Sequence, residues 1–335
     1  MVRAQSTSLA RIYMVLIGYA KGAAAMTRIN AVFEGGGVKG ISLVGAVCAA
    51  EERGAVFERV AGTSSGAIVA SLIAAGYRAA DIKAILEETP FRTFLRRKGI
   101  YNFGVIGSVL RILFKMGLYS SEELKLWIEG LLAVRGVHTF GDLPKGKLSI
   151  VASDITNGKL LVLPDDISGY GLDPMRMSVA AAVRMSSSLP YFFDPVRIRM
   201  NPGLRRTNGR AAQWAYIVDG GLLSNFPLWL FDNDQRGTAH PVQTVGFQMV
   251  GKNETEPRVI KGPVTMLQAV FETMLQAHDE RYIEKQNRPR TVKIPTKGIR
   301  STQFHLSKEE SDMLYGSGYE AAASFFDAPD CCIRL

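Results

Sequence analysis

The chain has 335 residues, 47% hydrophobic and 21% charged, a balance that supports a sizeable buried core and excludes a disordered or collagen-like polymer. Its 40 Lys and Arg against 31 Asp and Glu leave a net charge of +9, which points to an acidic partner surface without separating nucleic acid from anionic lipid. Three cysteines, Cys48, Cys331 and Cys332, exclude a disulfide framework and offer no zinc-ligand spacing.

Residues 1–27 read as a leader whose status the sequence leaves open. Arg3 and Arg11 precede the apolar stretch Ile12 to Ala20, and Ala23-Ala24-Ala25 follows, as in a secretory signal. Against that, Lys21 interrupts the apolar part and Met26 stands just before the first strand. The expectation is a dispensable or mis-started leader, with secretion as the alternative. No apolar run reaches the roughly 18 residues that span a bilayer, so an integral membrane protein is not expected. The expected location is the cytoplasm, with peripheral contact at a membrane. At the other end, Cys331-Cys332-Ile333-Arg334-Leu335 imitates a prenylation box, but Arg334 stands where that box takes an aliphatic residue.

From residue 28 onward the pattern predicts one domain through residue 335, with no internal repeat and no low-complexity linker. Arg28 to Phe33 reads as a strand, Val38 to Arg53 as a helix closed by Gly54, Phe57 to Ala61 as a strand, and Ser65 to Ala75 as a helix closed by Gly76. This β-α-β-α opening places the chain in the α/β class, with a mostly parallel central sheet between helical layers. Ala80 to Glu88 continues as helix. Ser120-Ser121-Glu122-Glu123 carries a capping-box pattern that opens a helix through about Ala133. Lys147 to Ser153 and Lys159 to Leu163 read as strands joined through the hairpin signal Asn157-Gly158. A helix over Met175–Ser186, strands over Trp214–Val218 and Gln243–Val250, a helix from Pro263, and a last helix capped by Ser307 and Glu310 complete the prediction.

Three motifs carry chemistry. Glu34-Gly35-Gly36-Gly37-Val38-Lys39-Gly40 follows a strand and opens a helix, so its backbone N–H groups form an anion site backed by the helix dipole. A dinucleotide fold would also want an acidic residue closing the second strand. That strand ends instead in Gly62-Thr63-Ser64-Ser65-Gly66, a G-x-S-x-G at a strand-to-helix turn, where small flanking residues expose a strained serine. Parallel neighbours place both loops at one sheet edge, so a carbonyl attacked by Ser64 can direct its oxyanion at the amides of Gly35, Gly36, Gly37 and Val38. The third motif, Ile217-Val218-Asp219-Gly220-Gly221, supplies a candidate base in Asp219, at the end of an apolar strand with two glycines that allow close backbone approach, with a turn-forming role as the structural alternative.

These blocks resemble the patatin-like phospholipases, lipid acyl hydrolases that use a Ser-Asp dyad without a catalytic histidine. The resemblance rests on G-G-G-x-K-G at Gly35 to Gly40, G-x-S-x-G at Gly62 to Gly66 and D-G-G at Asp219 to Gly221, in that order. It extends to Ser186-Ser187-Ser188-Leu189-Pro190-Tyr191-Phe192-Phe193-Asp194-Pro195 and to Asn225-Phe226-Pro227. It implies a three-layer α/β/α fold, Ser64 as nucleophile, Asp219 as base, phospholipid or lysophospholipid esters as substrates, and no metal or cofactor. Lys39 occupies the family's basic position and is expected either to meet a lipid phosphate or to hold a structural ion pair.

Two other readings compete. An α/β-hydrolase triad would join Ser64 and Asp219 to His240, His278 or His305, yet such enzymes set several strands before the nucleophile and only two precede Ser64. A basic binding protein with latent hydrolase activity would use Phe91 to Leu118, where Arg92, Arg96, Arg97, Lys98, Arg111 and Lys115 stand among aromatics with no acidic residue. With the dyad present, this segment, about residues 90–120, reads as a lid or docking insertion for an anionic membrane rather than a nucleic-acid site. A solvated basic loop over core aromatics is the structural alternative. Oligomeric state is not legible.

Overall fold

The first strand, β1 (Thr27–Phe33), is buried along its last five residues, the pattern of a strand covered on both faces. The computed structural model describes residues 26–89, 91–95, 104–200, 213–232, 242–251, 260, 262, 266, 269–270, 273, 287–301, 303 and 305–329. Beside β1 lie β2 (Ala55–Thr63) and β9 (Gln243–Val250), followed outward by β4 (Leu148–Asp154) on one side and β10 (Thr291–Pro295) on the other. These five strands run parallel. β8 (Trp214–Asp219) and β5 (Lys159–Leu163) pair with β4 in the opposite direction, and β7 (Val196–Arg199) pairs antiparallel to β8. The expected mostly parallel α/β sheet is therefore present, with its antiparallel strands gathered around β4.

The register on β4 has a direct consequence for function. One edge of β4 pairs with β5 through Ile150–Asp154. The other edge is shared: β2 runs parallel along Leu148–Val151, and β8 runs antiparallel along Ala152–Asp154. β2 and β8 therefore approach each other head-on along one edge. Their C-terminal ends, Thr63 opposite Val151 and Asp219 opposite Ala152, meet at consecutive positions of β4.

Helices flank the sheet: α1 (Gly40–Glu52), α2 (Ser65–Ala74), α3 (Ala79–Glu88), α4 (Gly104–Lys115), α5 (Glu122–Val134), α6 (Val179–Ser186) and α7 (Lys308–Phe326). The core joins buried residues of β1, β2, β4 and β9 to α1, α2 and α6. The last helix has the expected capping box, with Ser307 Oγ accepting from Glu310 N and Glu310 accepting from Ser307 N.

Two expectations need correction. α5 forms, but no box closes it: Ser121 is the cap residue and its side chain makes no capping bond. That hydroxyl instead accepts from Arg184 Nε at 2.9 Å, a tertiary contact that outcompetes the local cap. The helix expected over Met175–Ser186 is split into a short turn at Pro174–Arg176 and α6, because Ser178 in extended conformation caps α6 through Ala181 N. The short strands β3 (Gly117–Tyr119) and β6 (Tyr191–Phe193), which pair with each other, have no counterpart in the sequence prediction. Most of the helix expected from Pro263 lies outside the described residues.

Candidate active site

Ser64 sits between β2 and α2 with φ 54° and ψ −121°, a backbone region that L-residues adopt only when their surroundings force it. The forcing is visible in the two flanking glycines. A Cβ on Gly62 would lie 2.3 Å from Gly66 O, and one on Gly66 would lie 2.3 Å from Phe33 O. The turn closes only because both side chains are absent, and it lifts the half-buried Ser64 side chain out of the sheet edge.

The meeting of β2 with β8 then brings Asp219 to Ser64. Asp219 comes to the end of β8 beside the end of β2 that carries Ser64, and its Oδ1 accepts from Gly221 N at 2.8 Å. Two neighbouring serines tie the strand ends together. Ser64 N donates to Ser186 Oγ at 2.9 Å, and Ser186 Oγ donates to Val151 O at 2.6 Å. Asp219 N donates to Ser188 O at 2.9 Å. Gly220 must lack a side chain, since a Cβ there would lie 2.2 Å from Val151 O. One turn at the end of α6 thus holds both backbone positions of the pair.

Asp219 is 3% exposed. Burial pushes its carboxyl up to about 7, against the bond from Gly221 N and the nearby Ser64 hydroxyl, which pull it down. A carboxylate titrating there can accept a proton near neutral pH. Among the described residues its carboxylate accepts a hydrogen bond from Gly221 N. His305 is exposed, and His240 and His278 lie outside the described residues.

The glycine loop lies against this pair, but its amides are not equivalent. Gly35 N donates to Asn225 O at 3.1 Å, Gly36 N to Ser65 Oγ at 3.0 Å, and Val38 N to Ser301 O at 3.2 Å. Of the four amides expected to face an oxyanion, Gly37 N–H alone has no acceptor among the described residues. Gly37 also has φ +57°, which turns the chain at that point. Three of the four amides hold the loop in shape.

Asn225 and Glu34 had no assigned role in the sequence reading. Buried Asn225 brackets Gly35, accepting from its N and donating Nδ2 to its O at 3.0 Å. The buried Glu34 carboxylate accepts from Met249 N and from Asn225 Nδ2. The strand that ends in Asp219 is thereby coupled, six residues on, to the glycine loop. An Asn shortly after D-G-G was visible, but its partner was not, because the contact spans 190 residues of sequence.

Lys39 caps the start of α1 and is half-buried, and Gly40 packs against Ser65. Arg92 lies in the short turn Phe91–Phe94. Arg96, Arg97 and Lys98 lie outside the described residues. Arg111 departs from the expectation of a solvated basic segment: it is 7% exposed, with Nε donating to Leu118 O at 3.1 Å and Nη2 3.7 Å from Asp194 Oδ1. The carbonyl and carboxylate replace the water that would otherwise solvate it.

Comparison with known proteins shows the family and the fold. The family model described as Patatin-like phospholipase matches residues 31–232, a span that contains every motif of the site. The uncharacterized protein YqhO of Bacillus subtilis is 41% identical over 293 residues, covering 87% of this chain and 95% of that protein. A probable lipid hydrolase of Invertebrate iridescent virus 6 is 26% identical over 209 residues, covering 59% of this chain and 61% of that one. Among solved structures, VipD from Legionella pneumophila superposes with a TM-score of 0.52 at 20% identity, over 89% of this chain and 66% of VipD. The VipD match is a likeness of fold. This chain spans less than two thirds of the length of either of the last two proteins.

Proposed function

The chain belongs to the patatin-like phospholipase family, and from its site we propose that it is a serine lipid acyl hydrolase, cleaving carboxylic esters of phospholipids or lysophospholipids through an acyl-enzyme on Ser64. The observation that carries this reading is the meeting of the ends of β2 and β8 at consecutive positions of β4, which sets the strained Ser64 beside the buried Asp219. Asp219 takes the hydroxyl proton as Ser64 Oγ attacks the ester carbonyl. Gly37 N–H and the N-terminal end of α2 stabilise the tetrahedral oxyanion. The lyso-lipid or alcohol departs with the proton. Water, deprotonated by the same Asp219, then hydrolyses the acyl-enzyme, and no step calls for a metal or cofactor. The net charge of +9 supports work on an anionic phospholipid surface, with Arg92, Arg96, Arg97 and Lys98 as sequence candidates for contact. Lys39, at the foot of the glycine loop, is the sequence candidate for contact with a substrate phosphate.

This scheme fixes a pH dependence. Asp219 acts only when ionised, and its carboxyl titrates at about 7. kcat/KM for a soluble ester should therefore fall about tenfold for each pH unit below 7 and level off above it. A profile that stays flat from pH 5 to pH 8 would remove Asp219 from the role of base.

A further inference from the structure

Surface helices bury their apolar stripe and expose their charge; among the described side chains of α4, an arginine is buried and three large apolar residues are exposed. Gly107 and Arg111 face inward, the guanidinium held by Leu118 O and Asp194. One helical face therefore presents Leu110, Leu113 and Phe114 to solvent, the last two 68% and 72% exposed. The patch continues past the helix end. Met116 is exposed, and Gly117 pairs with the exposed Tyr191 across the β3–β6 ribbon.

Met116 and Tyr191 are two of the four described non-glycine residues with positive φ, 59° and 61°, so backbone strain is stored where two large apolar side chains are held outward. The base of the patch is firm. Asp194 accepts from Ser121 N at 2.9 Å and donates its own N to Tyr119 O, and the Phe192 ring meets those of Tyr119 and Phe193. Tyr191 lies three residues after Ser188, whose carbonyl holds Asp219 N. The patch thus begins within about 10 Å of chain from the reacting pair.

We propose that this face, Leu110, Leu113, Phe114, Met116 and Tyr191 around Lys115, is the surface by which the chain inserts into an anionic phospholipid bilayer, an inference that rests on the lipid acyl hydrolase reading. Charge selects this partner. Lys115 is exposed in the middle of the patch, and the sequence from Phe91 to Leu118 holds no Asp or Glu to offset it. A second copy of the chain would set Lys115 against its own counterpart across a two-fold axis through the patch, whereas anionic headgroups would neutralise it while the apolar side chains enter the acyl boundary.

The test uses the full chain carrying Ser64→Ala, so that no product accumulates, in sedimentation with phosphatidylcholine vesicles with and without phosphatidylglycerol. Replacing Leu113 and Phe114 together by serine should weaken partitioning at least about tenfold on both vesicle types. Lys115→Glu should weaken it on the phosphatidylglycerol vesicles alone. Phe114→Trp, a fold-neutral change at an exposed site, should shift its emission to the blue when vesicles are added. Unchanged partitioning of the double variant would overturn the proposal, as would a double variant that turns a native dimer into a monomer while binding vesicles as before. The two readings fail separately. Loss of binding by the double variant, with no fatty acid released by the native chain, would keep the surface and remove the hydrolase. Hydrolysis by the native chain, with undiminished binding of the variant, would do the opposite.

Discussion

Asp219→Asn is expected to lower kcat for ester hydrolysis by about 10⁴, the cost of withdrawing a base that acts as a unit with its nucleophile, while raising stability at alkaline pH. The substitution keeps the shape, since the amide oxygen can still accept from Gly221 N, but it cannot take the Ser64 proton. The stability change follows from the same burial. In the unfolded chain an Asp titrates near 4, and in the fold Asp219 titrates at about 7. Between those values the folded state binds the additional proton, so stability falls as pH rises from about 4 to about 7 and stays reduced above. Each pH unit is worth about 1.4 kcal/mol, which sets a ceiling on the order of 4 kcal/mol. Urea unfolding of the native chain and of the Asp219→Asn variant should diverge at pH 8 and converge near pH 4. Equal stability at both pH values would mean that the carboxylate is not held out of water.

Gly62→Ala has the next largest expected effect. The new Cβ would lie 2.3, 2.4 and 2.7 Å from Gly66 O, Gly66 C and Ala67 N, all backbone atoms at the start of α2. No rotamer change relieves such a clash, so the turn must open and Ser64 must leave its strained position. A destabilisation of about 3 kcal/mol or more is expected, and in whatever fraction stays folded a kcat loss beyond about 10²-fold, because a displacement near 1 Å at a reacting atom has that cost. Gly130→Ala in α5 is the control. Its Cβ meets nothing within 4 Å, and in a helix interior it should stabilise by about 0.5–1 kcal/mol. Thermal melts of the two variants with opposite signs would attribute the effect to the elbow rather than to loss of glycine as such.

The sequence made the loops legible because their chemistry is local. A strand ending in G-x-S-x-G requires small residues beside the serine whatever surrounds it, and the closest contact of the Gly62 position is Gly66, four residues away. The capping box of α7 was readable for the same reason. What stayed hidden was set by pairing across the chain. Nothing in the apolar stretch Trp214–Val218 indicates that it runs antiparallel on the edge of β4 that β2 also uses, yet that register is what joins Asp219 to Ser64. The amides of the glycine loop looked alike in sequence, and only Asn225, Ser65 and Ser301 distinguish them. Arg111 read as surface charge because its carbonyl and carboxylate partners come from β3 and from the turn after β6.

The central claim is that Ser64, activated by Asp219, attacks an acyl carbon. It is tested most directly by incubating the native chain with a long-chain alkylphosphonate p-nitrophenyl ester and mapping the product by peptide mass spectrometry. Ser64 Oγ should displace p-nitrophenolate and keep the phosphonyl group, giving one adduct on the peptide that contains Ser64, formed faster above pH 7 than below and absent after Ser64→Ala. An adduct elsewhere on the chain, or one that persists after Ser64→Ala, would contradict the account.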